Sequence, residues 1–216
     1  MKKLKILITA GPTREYIDPV RFITNLSTGT IGYLLAKDAR SRGHEVVLLS
    51  GPTHLRASKD IQVVRFNTAL ELLEQAYKHY SWADCIICAS AVGDYRPVKI
   101  EAKKIKKGAK EKTLELTKNP DVLKELGKRK QNRVLIGFAL ETNDLLDNAR
   151  AKLHEKNLDF IVANKLSAGN NPFGPGKTSV IIVGKDCIEN LQHISKKELA
   201  RIILDRAVKL CYSFIR

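Results

Sequence analysis

The segment between residues 11 and 32 has the composition of an anion-binding loop. It follows the apolar stretch LKILITA, contains serine, threonine and glycine residues, and ends where a helical pattern begins near Gly29 or Ile31. Hydroxyl groups and the free N–H groups of a helix N-terminus bind phosphate and carboxylate groups well. We therefore predict that Gly11 and Gly29 belong to a binding site for an anionic ligand, with Gly11 at the start of what looks like a nucleotide-binding βα unit.

Three polar side chains in this segment supply further hydrogen-bond donors. Arg14, Arg21 and Asn25 can bind phosphate or carboxylate oxygens. A purely structural Ω-loop is the alternative, although a loop of this length in a compact domain is more often functional or disordered. Apolar residues predict that the segment packs against the domain; they are Val20, Phe22 and Ile23.

A second candidate, SAVGDYRP at residues 90–97, directly follows the continuous apolar pattern DCIICAS. It places Asp94 and Arg96 just beyond a predicted buried strand. The spacing is compatible with site chemistry and equally with a turn in which the aspartate binds its own backbone.

Lysine residues are concentrated in two further places. Residues 99–112 include seven lysines, and a later helical pattern places Lys152 and Lys156 four positions apart. A flap that covers a bound phosphate is one interpretation of the first stretch, and a solvated or nucleic-acid-binding surface is another. No aromatic residue interrupts it, which weakens an interpretation as a single-strand-binding element. Lys152 and Lys156 place like charges on one helix face, where an anionic ligand or solvent would compensate them.

The overall charge favours polyanionic partners. Lysine and arginine number 38 against 23 acidic residues, which gives a net charge of +15. A solvated, lysine-rich surface is the simpler explanation.

No apolar run reaches the roughly 18 residues of a membrane span. The short apolar stretch near the N-terminus fits a strand better than a signal peptide, so we expect a cytoplasmic protein.

The four cysteines do not form a recognisable disulfide or metal pattern. Cys85 and Cys88 have CxxC spacing but lie inside an apolar strand pattern, and no second CxxC or histidine pair completes a zinc site. We predict that both are buried thiols.

Short apolar strand patterns alternate with helical patterns along the chain: the strands are LKILITA, EVVLLS, IQVVRF, DCIICAS, RVLIGFA and DFIVAN. This alternation predicts an α/β fold with a doubly wound, mostly parallel, Rossmann-like sheet. TSVIIV and CIENLQ predict a small antiparallel C-terminal extension, and Ser195 with Glu198 predicts a capping box before the last helix. Asn119 and Pro120 predict another helix start. Residues 1–216 show no linker or repeat, so one domain is expected.

In open α/β sheets, ligands bind beyond the carboxyl ends of the strands. Each of the four polar segments described above either follows a strand pattern or lies next to a segment that does. We therefore expect them to form one site.

Several motifs together resemble phosphopantothenoylcysteine synthetase, also called phosphopantothenate–cysteine ligase. They occur in the family's order: ITAGPTREYIDPVRFITNLSTGTIG, SAVGDYRP followed by KIKK, NPDVL, IGFALET and a helix with the pattern AR-x-KL-x-x-K. The resemblance covers nearly the whole chain. Many bacterial members are fused to a flavin-dependent decarboxylase, for which this chain has no room, so we expect a stand-alone synthetase.

The resemblance implies a two-step ligase reaction of coenzyme A biosynthesis. A nucleoside triphosphate, CTP in bacterial members and ATP in eukaryotic ones, activates the carboxylate of 4′-phosphopantothenate as an acyl-nucleotide. The amine of L-cysteine then displaces the nucleoside monophosphate. Mg²⁺ is implied as cofactor, carried mainly by the nucleotide phosphates. A homodimer is implied as well, with the antiparallel extension as the expected interface, and a separate phosphopantothenoylcysteine decarboxylase follows in the pathway. Neither a nucleic acid nor a membrane is an expected partner.

The resemblance also assigns individual roles. It implies that Asn25 holds the acyl-nucleotide, that Arg21 assists it, and that Lys104, the first lysine of KIKK, is needed for activation. Further matches are to nucleotide-contacting positions: Ala89, Ser90, Asp94, Pro120, Asp121, Val122, Phe138, Lys152 and Lys156.

The sequence departs from the family pattern at three places. Gly93 and Leu140 stand where alanine is common, and Lys177 stands where asparagine is frequent. Two other function classes stay open at this point. A dinucleotide-dependent reductase should show GxGxxG after the first strand and an acid after the second, which are not found. A basic nucleic-acid-binding protein should bind DNA with an affinity that falls steeply with salt.

Overall fold

The structure is a computed structural model that describes residues 2–108, 111–167, 170–174 and 176–214. Five helices are described: α1 (Thr30–Ser41), α2 (Ala69–Tyr80), α3 (Val122–Lys128), α4 (Leu145–Glu155) and α5 (Lys196–Phe214). The strands in the described ranges are, in chain order, β1 (Lys5–Ala10), β2 (Arg14–Tyr16), β3 (Phe22–Thr24), β4 (Glu45–Ser50), β5 (Gln62–Arg65), β6 (Cys85–Cys88), β7 (Tyr95–Pro97), β8 (Leu116–Lys118), β9 (Val134–Glu141), β10 (Phe160–Lys165), β11 (Lys177–Gly184) and β12 (Ile188–Ser195).

An eight-stranded sheet forms the centre of the molecule, in the order β12-β11-β10-β9-β6-β1-β4-β5. The six strands from β10 to β5 pair in parallel, and β11 and β12 continue the sheet antiparallel. The predicted doubly wound sheet with an antiparallel C-terminal extension is therefore confirmed. The strand order reverses at β1, which lies between β4 and β6. Ligands of open α/β sheets bind at such a reversal.

Helices cover both faces of the sheet, which explains why its central strands are apolar without interruption. In β1, Ile6 and Ile8 point to a core shared with α1 and α5, whereas Leu7 points to a core shared with α2, α3 and α4. Successive side chains of a strand face opposite sides, so a strand covered on both sides is apolar on both faces, and Thr9 is the polar exception among the buried residues of β1. Cys85 and Cys88 lie in this interior as free thiols, as predicted.

Two of the helix starts follow sequence signals that can be checked directly. The Ser195 hydroxyl accepts a hydrogen bond from the Glu198 N–H at 3.1 Å, which confirms the serine half of the predicted capping box at the start of α5. The predicted start at Asn119 and Pro120 is wrong. Helix α3 begins after Asp121, whose carboxylate caps the Lys124 N–H at 3.0 Å. Asn119 is occupied elsewhere, because its amide donates to the Gly93 carbonyl at 2.7 Å.

The long segment between β1 and α1 folds into a hairpin of β2 and β3, and a second hairpin pairs β7 with β8. The Arg14 guanidinium lies over the Phe22 ring at 4.4 Å within the first hairpin. The hairpin packs against the domain through the buried Glu15, whose carboxylate accepts a hydrogen bond from the Ala69 N–H at 3.1 Å. Val20 is 57% exposed and Ile23 is 37% exposed. The segment therefore packs against the domain, as predicted, but through Glu15 rather than through Val20 and Ile23.

Within the part of the chain that the structure describes, none of the helices is both long and apolar enough to span a bilayer. Residues 109–110 of the lysine-rich stretch lie outside the described residues.

Candidate functional site

A cavity of about 930 Å³ opens at the carboxyl ends of β6, β9 and β10, beside the first residues of α1, α3 and α5. Residues 24–31, 88–95, 118–123 and 138–140 supply most of its wall. Its volume lies within the range of small-molecule binding sites. The cavity joins the segments that follow β3 and β6 with the N-terminus of α1, and Lys152 and Lys156 of α4 also line it. Three of the four predicted segments therefore meet here, whereas none of the described residues of the lysine-rich stretch at 99–112 lines the cavity.

The N-terminus of α1 forms a backbone cradle at one side of the cavity. Its N-cap residue, Gly29, has a φ of 79° and provides no side-chain cap. A Cβ at this position would lie 3.1 Å from the Gly11 amide nitrogen, so glycine is required both by the left-handed backbone and by the close approach. The N–H groups of the first turn of α1 are thus available to an anion. Gly11 is buried behind Gly29 and does not line the cavity, so it supports the cradle from outside.

Buried hydroxyl groups fix the position of Ser90 beside β1. The Thr9 and Ser90 hydroxyls are 2.7 Å apart, and the Ser90 N–H donates to the Thr9 hydroxyl at 3.1 Å. Thr9 is fully buried on β1. Ser90 therefore lines the cavity in a fixed orientation, together with Ala89.

Lys152 and Lys156 line the cavity, as predicted, but each is already paired with an acid. The Lys156 ammonium lies 2.8 Å from the Asp121 carboxylate, and the Lys152 ammonium lies 2.5 Å from the Glu141 carboxylate. Burial opposes ionisation of Asp121, but hydrogen bonds from Lys156 and the Lys124 N–H outweigh it and lower the pKa of the carboxyl group. These acids, rather than solvent, offset the two like charges.

Asn25 reaches the cavity from the end of β3. Its amide donates to the Ala91 carbonyl at 3.1 Å, which uses one of its two N–H donors. The remaining predicted nucleotide-contacting positions, Asp94, Pro120, Val122 and Phe138, also line the cavity.

Four predicted site residues do not line this cavity: Gly11, described above, and Arg14, Arg21 and Lys104. The Arg14 guanidinium stacks on Phe22, and Lys104 is exposed to solvent. Arg21 forms an ion pair with Asp18 at 2.9 Å and donates to the Ile105 carbonyl at 2.5 Å. Within one copy of the chain, the prediction that they join the same site is therefore not met.

Asp18 ties the lysine-rich stretch to the first hairpin. Its carboxylate accepts hydrogen bonds from the N–H groups of Val20 and Arg21 and, at 3.1 Å, from that of Ile105. Burial alone would raise the pKa of Asp18, but these hydrogen bonds and the Arg21 charge outweigh it and lower the pKa to about 2. Lys104, next to Ile105, is thereby held near the hairpin tip.

A group of residues on the cavity wall belongs to none of the predicted site segments. They come from β10, β11, α5 and the segment before β11: Asn164, Phe173, Thr178, Lys196 and Leu199. The Asn164 side-chain oxygen is buried, with no hydrogen-bond partner among the described residues. Asn164 directly follows the apolar stretch DFIVA, and this position at the carboxyl end of a strand could have indicated a site residue.

The departures from the family pattern have modest steric consequences. A Cβ on Gly93 would meet its nearest neighbours at 3.4 Å, an ordinary contact distance, so an alanine would fit there too. Leu140 is 41% exposed at the cavity wall. Lys177 is exposed at the start of β11 and is not part of the wall.

Comparison with known proteins gives consistent matches over the chain. The model of the family described as DNA/pantothenate metabolism flavoprotein C-terminal domain matches residues 1–210. The coenzyme A biosynthesis bifunctional protein CoaBC of Borreliella burgdorferi is 39% identical over 207 residues, which cover 94% of this chain and 52% of that protein. A cysteine/cysteine sulfinic acid decarboxylase of an unknown prokaryotic organism is 41% identical over 211 residues, which cover 96% of this chain and 59% of that protein. The chain thus spans between half and three fifths of the length of these curated relatives.

A solved structure matches the chain over almost its entire length. The crystal structure of the C-terminal domain of a coenzyme A biosynthesis bifunctional protein CoaBC superposes with a TM-score of 0.84 at 39% identity. The match covers 99% of this chain and 98% of that one.

Proposed function

The chain belongs to the DNA/pantothenate metabolism flavoprotein C-terminal domain family, and from this premise we propose that it is a phosphopantothenate–cysteine ligase. It would join 4′-phosphopantothenate to L-cysteine in coenzyme A biosynthesis. One observation carries the proposal. The Asn25 loop, the SAVGDYRP segment, Asp121 and the Lys152 helix, which are far apart in sequence, line a single cavity at the strand ends.

The proposed reaction has two steps. A carboxylate oxygen of 4′-phosphopantothenate attacks the α-phosphorus of CTP, a P–O bond to the leaving group breaks, and pyrophosphate departs. The amine of cysteine then attacks the acyl carbon, the C–O bond to the nucleotide breaks, and CMP departs with the formation of an amide. We favour CTP over ATP because the resemblance is to bacterial members of the family.

The cavity residues support this chemistry chiefly by offsetting negative charge. Anionic oxygens crowd around the α-phosphorus as the first step proceeds, and fixed donors stabilise them most effectively in a water-poor site. The α1 cradle and the ammonium groups of Lys152 and Lys156 supply such donors. Asn25 offers an amide that can bind the acyl-nucleotide without acting as acid or base.

Magnesium fits this site only as a companion of the nucleotide. The described residues hold no group of three or more His, Cys, Asp or Glu side chains suited to a metal ion. Asp94 is an exposed carboxylate on the cavity wall without an ion-pair partner among the described residues. Mg²⁺ typically binds substrate phosphates with one or two protein carboxylates. We assign Asp94 as its protein ligand; the ion would neutralise charge on the leaving pyrophosphate.

A homodimer would give a role to two of the residues that lie away from the cavity, Arg21 and Lys104. Several exposed apolar side chains lie on or beside the two hairpins: they are Val20, Ile23, Leu26, Tyr95, Val98, Ile100 and Leu116. Such a patch on a soluble domain is typical of an interaction surface. A second copy that docks there would cover it. We propose that this contact brings Arg21 and Lys104 to the partner's cavity, because the resemblance places both residues in catalysis. The alternative dimer interface is the antiparallel extension formed by β11 and β12, which the resemblance led us to expect.

The product would be the substrate of a phosphopantothenoylcysteine decarboxylase, in line with the bifunctional names of the CoaBC relatives. A cytoplasmic location is proposed for this pathway enzyme.

The direct test is an assay of the purified chain with 4′-phosphopantothenate, L-cysteine, Mg²⁺ and either CTP or ATP. We expect phosphopantothenoylcysteine by mass spectrometry, with one pyrophosphate and one nucleoside monophosphate per product, and faster turnover with CTP. Absence of product with both nucleotides would contradict the ligase proposal. Release of nucleoside diphosphate and orthophosphate would instead overturn the acyl-nucleotide route.

A further inference from the structure

One part of the cavity wall contains no residue to which the reaction described above assigns a role. The residues that the resemblance assigns to the nucleotide lie on or next to β6, α3, β9 and α4. The wall formed by β10, β11 and the start of α5 is not covered by these assignments. Within it, Lys196 is the only cationic side chain among the described lining residues.

Lys196 is the first residue of α5 and is partly buried against the segment that precedes β11. Its ammonium group donates to the Gly174 carbonyl at 2.6 Å. An ammonium group has three N–H donors, and the described residues account for one of them. No carboxylate of the described residues lies within ion-pair distance of Lys196, in contrast to Lys152 and Lys156.

This environment is costly for a cation. Burial lowers the pKa of Lys196, with no nearby negative charge to oppose the effect. A partly desolvated ammonium group without a counter-ion gains more from an arriving anion than a solvated one does. The α1 cradle, at Thr30 and Ile31 of the same cavity, adds N–H donors that favour the same ligand chemistry.

We propose that Lys196 is a ligand-binding residue that donates hydrogen bonds to a phosphate group bound in this cavity. The inference rests on the proposed function, which supplies two phosphorylated ligands: the nucleotide and 4′-phosphopantothenate. On binding, the ammonium group keeps its contact with the Gly174 carbonyl or exchanges it for the phosphate group. A purely structural lysine, which only ties Gly174 to α5, is the competing explanation.

Three variants separate these explanations. Lys196→Met keeps the aliphatic stem and removes the charge, Lys196→Arg keeps the charge, and Lys197→Met is the matched control because Lys197 is exposed and absent from the cavity wall. Isothermal titration of each variant with CTP–Mg²⁺ and, separately, with 4′-phosphopantothenate measures both affinities. We expect Lys196→Met to weaken binding of one ligand by at least about tenfold, as for a lost charge-assisted contact. Lys196→Arg should stay within about threefold of the wild type, and Lys197→Met should match it.

The ligand whose affinity falls identifies the source of the phosphate. Wild-type affinity of Lys196→Met for both ligands would overturn the inference and leave the lysine a structural tie. Absence of binding and product formation in the wild type would instead remove the proposed function itself, so the two failures are distinguishable.

A second measurement uses only the wild-type chain and does not depend on the folding of a variant. Lysines are acetylated briefly with acetic anhydride, with and without each ligand, and quantified by mass spectrometry. We expect one ligand to protect Lys196 several-fold while Lys197 is labelled equally in all samples. Equal labelling of Lys196 under every condition, at ligand concentrations that saturate the wild type, would contradict the proposal.

Discussion

Replacing Gly32 by alanine should destabilise the protein and weaken catalysis together, because α1 lies almost in contact with β1 at this point. A Cβ on Gly32 would lie 2.5 Å from the Ala10 Cβ and 3.0 Å from the Thr9 carbonyl oxygen. Neither neighbour is a flexible side chain, so the helix itself must move away from the strand.

The expected magnitude follows from two opposing terms. Overpacking of a dense interior costs about 1–3 kcal/mol, whereas alanine in a helix gains up to about 1 kcal/mol over glycine. The gain is reduced at Gly32, since it lies in the first turn of α1. We expect a net loss of roughly 1–2 kcal/mol in the free energy of unfolding. A shift of the α1 N-terminus should also lower kcat/KM for the nucleotide, because small displacements of binding groups are costly.

Urea denaturation and steady-state kinetics measure the two effects. The double variant Ala10→Gly with Gly32→Ala is the matched control, since it removes the facing Cβ. Its loss of stability should be smaller than the sum of the two single losses, by about 1 kcal/mol. Unchanged or increased stability of Gly32→Ala, or strict additivity in the double variant, would refute the packing argument.

Four further predictions concern the hairpins and the acyl-nucleotide. Lys104→Ala should lose activation, measured as pyrophosphate release, while Lys103→Ala should not; similar rates for both would make the stretch a solvated surface. Asn25→Asp should fold and still form acyl-nucleotide but turn over at least about 100-fold more slowly, in a quench assay with labelled phosphopantothenate; wild-type turnover would remove Asn25 from the mechanism. If Arg21 acts on the partner's cavity, refolding a mixture of inactive Arg21→Ala and Asn25→Asp chains should recover about a quarter of wild-type activity through mixed dimers; no recovery would place both residues in the same copy. The pKa of the Asp18 carboxyl group is lowered to about 2, so its contribution to stability is complete above about pH 4 and is lost as the pH falls through 2. Asp18→Asn should remove this part of the acid dependence of the melting temperature. Identical pH profiles for the variant and the wild type would contradict this.

The fold could be predicted from the sequence because it rests on local patterns. The uninterrupted apolar strands follow from helices on both faces of the sheet, and the cap at Ser195 follows from two residues three positions apart. The start of α3 could not be predicted in the same way. Asn119 and Asp121 are both good cap residues, and the choice depends on the contact between the Asn119 amide and the Gly93 carbonyl, 26 residues apart.

The site could be predicted only in part, for the same physical reason. Ser90 reaches the cavity because it follows β6 closely and the strand ends of the central sheet meet at one edge. Asn25 follows β3 and is brought there by the separate hairpin of β2 and β3. Lys104 is positioned instead by the hydrogen bond between Asp18 and Ile105, which are 87 residues apart. Lys196 reaches the cavity only because the antiparallel pair β11 and β12 returns the chain to that edge before α5 begins. No pattern in the sequence specifies these long-range contacts.

The proposed function depends on activation of the phosphopantothenate carboxylate by direct attack on the α-phosphorus of the nucleotide. The most direct test uses 4′-phosphopantothenate with both carboxylate oxygens labelled with ¹⁸O, followed by mass spectrometry of all products. An acyl-nucleotide intermediate predicts one ¹⁸O atom in the released CMP, one in the amide of the product, and none in pyrophosphate. Label in orthophosphate, or unlabelled CMP beside a labelled product, would contradict it.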